Sequence, residues 1–144
     1  MIRLSCVWLA LVAVMALTPA CARRAPITTA AVPSRVLETQ VGLASYYGAE
    51  FHGKPTASGR PFDMNALVAA HPRFPFGTLI RVTNLGNGRT VDVRVQDRGP
   101  ARQPRAEGVI VDLSQRAAQR LGFTRQGRTR VRLDVLEWPS RASR

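Results

Sequence analysis

The chain has very little cysteine and lysine. Its 144 residues contain two cysteines, Cys6 and Cys21, both close to the amino terminus. Residues 42–138, where we predict the folded domain, have none, which excludes a disulfide framework and a cysteine nucleophile there. Lysine occurs once, at Lys54, so arginine supplies nearly all of the 21 basic residues. We attach little mechanistic meaning to that excess of arginine.

The sequence also lacks a long hydrophobic run. The apolar stretch 4–17, after Arg3, is too short for a comfortable membrane span and has the pattern of a secretory signal. This bears on the net charge of +12, which on its own is typical of nucleic-acid-binding proteins. An exported protein meets the cell envelope rather than the genome. We therefore expect no nucleic-acid partner, unless the amino-terminal stretch is not a signal.

Cys21 ends the segment Leu17-Thr18-Pro19-Ala20-Cys21, which resembles a bacterial lipobox. In a lipobox the cysteine becomes the lipidated first residue of the mature chain; Ala20 fits that pattern and Thr18 does not. The alternative is cleavage without lipidation, after Ala20 or after Ala22. We favour lipidation, which anchors the protein to a membrane, the outer in preference to the inner, and leaves the domain in the periplasm.

These observations divide the chain into four segments. We predict a signal peptide and lipobox at 1–21, a linker at 22–41, one domain at 42–138 and a loose tail at 139–144. About 120 residues remain after the signal, enough for one compact domain and not two. We expect a monomer.

The dominant hydrophobic period in residues 42–138 is two, which predicts strands. Segments 78–83 and 89–95 alternate apolar and polar residues on either side of Asn87-Gly88, the pattern of a β-hairpin. Gln115–Leu121 is predicted as a helix, with Asp112 or Ser114 as its cap and Gly122 as its stop. Six short strands with one short helix suggest a small closed barrel, since closure leaves no exposed strand edge. The other four strands are predicted at 42–47, 67–70, 109–112 and 130–136.

Asp97 is the first candidate for chemistry. It has the same place in the strand alternation as Val91, Val93 and Val95, so in a regular strand it points with these apolar side chains. Partial burial favours the protonated form of a carboxyl and suits a general acid, whereas the neighbouring Arg98 favours the ionised form. The alternative is that Asp97 caps the turn before Gly99-Pro100.

The remaining candidates have ordinary structural alternatives. His71 ends an apolar run and precedes Pro72, where a histidine is more often a hydrogen-bonded packing residue than a catalyst. His52 is predicted to lie in a loop. No zinc-protease, nucleophile-elbow or phosphate-loop motif occurs, so we expect neither a metal nor a cofactor. Four aromatic residues form either a sugar-stacking surface or core packing: Tyr46, Tyr47, Phe51 and Phe62.

The chain resembles the rare lipoprotein A (RlpA) family of bacterial envelope proteins. The resemblance covers essentially all of residues 42–138, and its many ordered segments make it specific. The segments that match are Gly42-Leu-Ala-Ser-Tyr-Tyr-Gly48, Phe51-His-Gly-Lys-Pro-Thr-Ala-Ser-Gly59, Phe62-Asp-Met-Asn-Ala-Leu67, Ala69-Ala-His71, Pro75-Phe-Gly-Thr78, Val82-Thr-Asn-Leu85, Asn87-Gly88, Val93-Arg-Val-Gln-Asp-Arg-Gly-Pro100 and Val111-Asp-Leu-Ser114.

The resemblance implies a six-stranded double-psi β-barrel that acts on peptidoglycan glycan strands stripped of stem peptides. The implied activity is that of a lytic transglycosylase, which cleaves the bond between N-acetylmuramic acid and N-acetylglucosamine and leaves 1,6-anhydro ends. It places the family's functional histidine and aspartate at His71 and Asp97. We predict Asp97 as the acid/base and His71 as a partner or orienter of the sugar. Secondary candidates for substrate binding are Asp63, Arg60, Thr56 and Arg98.

The chain departs from the family pattern at Arg60, where members commonly carry Glu, and at Gln96, where Asn is frequent. Three interpretations of Arg60 stay open: Asp97 suffices alone, Arg60 binds an anionic group of the substrate, or the catalyst is weak. We do not expect the C-terminal glycan-recognition module of larger relatives in this chain. The rival function is a non-catalytic, expansin-like module that binds the wall.

Overall fold

The structure is a computed structural model that describes residues 35–140. The predicted signal peptide, Cys21 with its lipobox, residues 22–34 of the predicted linker and residues 141–144 of the tail lie outside the described residues. Within residues 35–140, no helix is long and apolar enough to cross a membrane.

Six strands close into a barrel, as predicted, and each of the six predicted strands is confirmed. Their bounds are β1 Glu38–Tyr46, β2 Val68–Ala70, β3 Leu79–Asn84, β4 Thr90–Asp97, β5 Val109–Leu113 and β6 Thr129–Glu137. Their order around the barrel is β1-β5-β2-β4-β3-β6. The pairs β1/β5 and β2/β4 are parallel, and the other pairs are antiparallel, including β1/β6, which closes the barrel.

Alternate apolar residues of the strands fill the interior of the barrel. This is the period of two that the sequence shows, because successive side chains of a strand point to opposite faces. Their burial from water provides the main stabilisation of a domain without disulfides. The central members are Ile80 and Val82 of β3, Val93 and Val95 of β4, Val111 and Leu113 of β5, and Val131, Leu133 and Val135 of β6, all at most 1% exposed.

The predicted hairpin and helix are also confirmed. Asn87-Gly88 lies in the turn between β3 and β4, and Gly88 has a φ of 72°, a conformation that glycine adopts without strain. Helix α2 spans Gln115–Leu121 and ends at Gly122. Of the two predicted caps, Ser114 is the one that bonds: its Oγ accepts from the Ala117 N–H at 3.3 Å.

Two local features differ from the sequence-based expectation. β1 begins at Glu38, four residues before the predicted start of the domain, because residues 38–41 pair with the distant β6. A second helix, α1, spans Arg102–Ala106, and a 3₁₀ turn spans Ala49–Phe51. Neither was expected, since both are shorter than two helical turns and show no apolar periodicity.

A bulge interrupts β4 just before Asp97. Ala69 pairs with Val95 and the next residue, Ala70, pairs with Asp97, so Gln96 is an extra residue in β4. The strand is therefore not regular at its end, and Asp97 is not aligned with the apolar side chains of β4. Its carboxylate instead faces Tyr47 and the backbone of Ala57.

Candidate active site

The Asp97 carboxylate is held by three donors from three parts of the chain. Oδ1 accepts the backbone N–H groups of Ala57 and Arg98, both at 2.8 Å, and Oδ2 accepts the Tyr47 hydroxyl at 3.4 Å. An oxygen that accepts two N–H bonds is an acceptor rather than the bearer of a proton. The arrangement fixes the orientation of the carboxylate and leaves Oδ2 the freer oxygen.

The loop 55–61 that supplies the Ala57 N–H is stabilised by Thr56. The Thr56 N–H and hydroxyl both bond to the Arg60 carbonyl at 2.8 Å, and the hydroxyl lies 2.9 Å from Ser58 Oγ. Thr56 is 7% exposed, so it shapes the loop from inside. Thr56 therefore stabilises the loop that donates to Asp97, and its contact with the substrate stays a prediction.

His71 is bound within the protein through both ring nitrogens. Nδ1 lies 3.0 Å from the Phe74 N–H and 3.3 Å from the Arg73 N–H, so it is an acceptor, and the ring proton must be on Nε2, 3.2 Å from Gln40 Oε1. The ring stacks on Phe74 and is 1% exposed. Burial, then the charges of Arg73 and Arg98, lower its pKa from 6.5 to about 4. His71 also lines a third pocket, of about 340 Å³, together with Pro72 and Arg105, and its contact with a sugar stays a prediction.

His71 contacts Asp97 through the main chain. The His71 N–H donates to the Asp97 carbonyl at 3.1 Å, next to the bulge of β4. The Arg98 guanidinium bonds to the carbonyls of His71, at 3.3 Å, and Phe74, at 2.9 Å, and it lies 3.8 Å above the ring of Phe76. Arg98 and His71 therefore hold together the turn that follows β2 and the end of β4.

An open cleft of about 590 Å³ lies on one side of Asp97, and we call it the aromatic cleft. Tyr47 packs against Phe51 and Phe62, with ring centroids 5.3 and 5.2 Å apart. Of the aromatic residues noted in the sequence, Phe62 is core, at 5% exposed, and Tyr46, Tyr47 and Phe51 line the cleft. Other residues that line it are Glu50, Pro72, Arg98, Gly99, Arg105 and Asp112.

Asp112 is a half-buried carboxyl group that lines the aromatic cleft, which the exposed Glu50 lines as well. Its Oδ1 accepts a hydrogen bond from the Ser45 hydroxyl. Burial is the largest influence on Asp112 and raises its pKa; Asp97 adds to the rise, while Ser45 and Arg128 oppose it. Burial and the charges of Asp97 and Asp112 also raise the pKa of Tyr47, so its hydroxyl stays protonated and acts as a donor.

A cleft of about 520 Å³ lies on the other side of Asp97, and we call it the arginine cleft. Arg60, Ser58 and Gln96 line it together with Arg94, which is 3.8 Å from Glu137. Asp97 follows Gln96 of the arginine cleft and precedes Arg98 of the aromatic cleft. Its carboxylate also contacts both the 55–61 loop and Tyr47. Asp97 thus lies at the border between the clefts.

Asp63 belongs to a local turn. Its Oδ1 accepts the Asn65 N–H at 2.8 Å and lies 3.8 Å from His52 Nδ1. Asp63 lines none of the clefts described above. Within residues 35–140, no three His, Cys, Asp or Glu side chains are grouped to hold a metal ion.

Arg60 lines the arginine cleft and Arg98 lines the aromatic cleft. Asp97 stands between residues of the two clefts, and His71 and Thr56 line neither of them. Sequence reasoning missed Asp112 as a site residue and considered it only as a helix cap. No spacing signal links Asp112 to Asp97, because the two are joined only through the pairing of their strands with β2.

Fold and site together define a small closed β-barrel protein with carboxyl groups at the border of two open clefts. The family model described as lytic transglycolase matches residues 39–133, and the chain belongs to this family.

Curated relatives share this domain. The chain is 49% identical over 98 residues to the endolytic peptidoglycan transglycosylase RlpA of Neisseria meningitidis serogroup A. The matched region covers 68% of this chain and 39% of that protein. It is 42% identical over 119 residues to the probable endolytic peptidoglycan transglycosylase RlpA of a Synechocystis species, covering 83% of the chain and 36% of the relative. The chain therefore spans less than two fifths of the length of these relatives.

Solved structures confirm the double-psi β-barrel. The Streptomyces papain inhibitor is 23% identical with a TM-score of 0.56, over 71% of this chain and 97% of the inhibitor. The apo expansin of Clavibacter michiganensis is 24% identical with a TM-score of 0.54, over 72% of this chain and 52% of the expansin. At this level of identity the likeness concerns the fold alone.

Proposed function

We propose that the protein is a peptidoglycan lytic transglycosylase that cleaves the bond between N-acetylmuramic acid and N-acetylglucosamine and leaves 1,6-anhydro ends. Family membership and the names of the curated relatives support this proposal. The observation that carries it is the oriented Asp97 carboxylate at the border of two open clefts. A glycan strand that runs from one cleft to the other passes its reacting bond across this group.

The transglycosylase reaction requires little more than carboxyl chemistry at the right place to give and to accept a proton. A proton must reach the oxygen of the leaving sugar, and the 6-hydroxyl of the muramic acid residue must lose its own proton as it attacks C1. Because this nucleophile belongs to the substrate, its high effective concentration replaces a positioned water molecule. We assign Asp97 to this acid/base work, where a positioned group contributes about 10²- to 10⁴-fold.

The surrounding residues support Asp97 or the sugar. Tyr47 donates to Oδ2 of Asp97, and with Phe51 it offers ring faces to a sugar. His71, Arg98 and Thr56 act as positioning residues through the backbone contacts described above. Asp63 shapes the loop between the 3₁₀ turn and β2 rather than contacting the glycan.

Arg60 is proposed to bind an anionic group of the substrate. Its side chain is exposed in the arginine cleft, and Arg60 belongs to the 55–61 loop whose Ala57 N–H donates to Asp97. Glycan strands without stem peptides carry a free lactyl carboxylate on each muramic acid residue, a suitable partner for a guanidinium group. The proposal favours one of the three interpretations of Arg60 that the sequence left open.

The proposed substrate places the protein outside the cytoplasmic membrane. We further propose a periplasmic lipoprotein, anchored through Cys21 to the outer membrane, that acts as a monomer on peptidoglycan without nucleic acid. Digestion of membrane fractions from producing cells, followed by mass spectrometry of the amino-terminal peptide, tests the anchor. An unmodified peptide that begins at Cys21 or at Arg23 would contradict lipidation.

The activity is tested by incubating the full chain with intact sacculi and with sacculi from which an amidase has removed the stem peptides. Mass spectrometry is expected to find 1,6-anhydro products, more abundant from the amidase-treated material. Asp97→Asn keeps the shape of the side chain and is expected to lower their formation about 100-fold or more. Asp92→Asn, an acidic residue of β4 paired with Arg81, is the matched control and should leave turnover unchanged.

Two results would contradict the proposal in different ways. If the protein co-sediments with sacculi but produces no anhydro ends from either material, it is the expansin-like binding module. If Asp97→Asn retains full turnover, the activity stands and the assignment of Asp97 is wrong.

A further inference from the structure

Asp112 and Asp97 flank the same residue of the barrel. Ala70, the last residue of β2, pairs with Asp97 of β4 on one side and with Asp112 of β5 on the other. Adjacent strands lie about 4.8 Å apart, so the two carboxyl groups start from positions about two strand spacings apart. Because paired residues share a face of the sheet, the two carboxyl groups stand on the same face, one on each side of the small side chain of Ala70.

The space above Ala70 is kept open by Gly99. A Cβ atom added at Gly99 would lie 3.1 Å from the Ala70 Cβ, 3.0 Å from the Tyr47 hydroxyl and 3.1 Å from Asp112 Oδ2. The Tyr47 hydroxyl and Asp112 Oδ2 thus face the same point, where no side chain stands. Because Tyr47 also donates to Asp97 Oδ2, it lies between the two carboxyl groups.

The two oxygens of Asp112 differ in their surroundings. Oδ1 accepts the Ser45 hydroxyl, so a proton on this carboxyl belongs on Oδ2, the oxygen that faces the cleft. The groups that act on Asp112 from the neighbouring elements are Ser45 of β1, Asp97 of β4, Tyr47 after β1 and Arg128 before β6. Burial and Asp97 favour the protonated form, against Ser45 and Arg128.

We propose that Asp112 is a second catalytic residue, the proton donor to the leaving sugar, and that Asp97 is the base. The inference rests on the proposed function and divides between two carboxyl groups the work that a single one would otherwise do.

The step balances in protons and electrons. Asp112 Oδ2 gives its proton to the glycosidic oxygen, and the bond from that oxygen to C1 breaks with its electron pair moving to the oxygen. The 6-hydroxyl oxygen forms the new bond to C1, and its proton goes to Asp97 Oδ2. The site starts with protonated Asp112 and ionised Asp97 and ends with the reverse. Transfer of one proton from Asp97 to Asp112, through solvent or Tyr47, restores it.

The test compares two substrates with different leaving groups. Amidase-treated sacculi need a proton on the leaving sugar, whereas a 2,4-dinitrophenyl glycoside of the N-acetylglucosaminyl-N-acetylmuramic acid disaccharide releases a stable anion and needs none. Asp112→Asn in the full chain is expected to lower turnover of sacculi about 100-fold or more and that of the aryl glycoside less than about tenfold. Asp97→Asn is expected to lower both.

The matched control is Asp134→Asn. Like Asp112, Asp134 accepts a hydroxyl group of β1, that of Thr39 at 2.8 Å. It is more deeply buried, also bonds to Arg132, and lies outside both clefts. Its variant should retain the wild-type turnover of both substrates. A measurement that needs no variant is the pH profile: with the wild type, turnover of sacculi should fall on the basic side, and turnover of the aryl glycoside should not.

The failures of the two proposals are distinguishable. The role of Asp112 alone would be overturned if Asp112→Asn lost turnover equally on both substrates or lost none on sacculi. In either case the wild-type pH profiles of the two substrates would also have identical basic limbs. Absence of anhydro products from both substrates with the wild type would overturn the proposed function, and the role of Asp112 with it.

Discussion

His71 matches a functional position of the family and is proposed to act by positioning Asp97. The His71 ring is buried, and its Nδ1 accepts two backbone N–H groups. The backbone N–H of His71 donates to the carbonyl of Asp97. Protonation of Nδ1 would turn this acceptor into a donor that faces two other donors. The folded state therefore requires a neutral ring, and the free energy of unfolding must depend on pH.

The sign of this dependence follows from the lowered pKa of His71. Between about pH 6.5 and about pH 4 the unfolded chain binds a proton at this residue and the folded chain does not, so His71 makes the free energy of unfolding decrease as the pH falls. Asp112, whose pKa is raised, contributes the opposite slope at the acidic end. We expect His71→Asn, which keeps an acceptor that does not titrate, to flatten the decrease. Urea denaturation at several pH values measures it, and an unchanged slope would contradict the neutral, enclosed ring.

Also at the residue scale, sequence reasoning did not identify Asp112 as a candidate site residue. Asp97 and His71 were accessible because the family resemblance implies a functional aspartate and histidine at these positions. It implies no role for Asp112, although Asp112 also stands in a segment that matches the family. Asp112 was considered only as a helix cap, since its relation to Asp97 arises from two strand pairings with β2. The orientation that the strand alternation predicted for the Asp97 side chain was wrong for a related reason. The bulge at Gln96 depends on how β2 and β4 meet, and nothing in the local residues announces it.

Among the elements, helix α2 depends most clearly on one side chain. Ser114 is fully buried; its Oγ donates to the Ala66 carbonyl at 2.6 Å and accepts the Ala117 N–H at 3.3 Å. It therefore both caps the helix and ties it to the segment before β2. The β3/β4 hairpin and α2 were predictable because each carries its own turn or cap residues. Helix α1 was not, because it has Pro104 and no apolar face.

We expect Ser114→Ala to lower the free energy of unfolding by about 1–3 kcal/mol. The loss combines that of a helix cap with that of a donor to a buried carbonyl. Chemical denaturation followed by circular dichroism measures it. Arg116→Ala, at an exposed position of the same helix, is the control and should change the free energy of unfolding by less than about 0.5 kcal/mol. Equal effects of the two substitutions would show that the cap contributes nothing.

On the scale of the whole molecule, the net charge of +12 matters where basic side chains can contact the proposed substrate. Among residues 35–140, several arginines are exposed on the outer face of the barrel, as Arg130 and Arg132 are on β6. Charges so exposed to water interact weakly with an anionic polymer and are screened by salt. Arg60 differs because it lines the arginine cleft beside the loop that holds Asp97.

We expect Arg60→Gln to weaken binding of glycan strands without stem peptides about two- to fivefold at low ionic strength. The reason is the loss of one ion pair with a lactyl carboxylate, so the salt dependence of binding should decrease as well. Calorimetric titration of the full chain at several salt concentrations measures both. Arg130→Gln removes an equal charge far from the clefts. If it weakens binding as much as Arg60→Gln does, the effect is one of net charge and Arg60 has no specific partner.

The pairing of β1 with β6 also determines when the barrel can form. Glu38 pairs with Val135, so the first strand finds its partner only when the last one is available. Folding dominated by such distant pairings takes milliseconds to seconds in domains of similar size, well behind purely local structure. A chain that stops before residue 129 leaves one edge of β1 and one edge of β3 without hydrogen-bonding partners, and open edges of this kind invite aggregation. The domain is therefore vulnerable throughout its synthesis and gains protection only with its final strand.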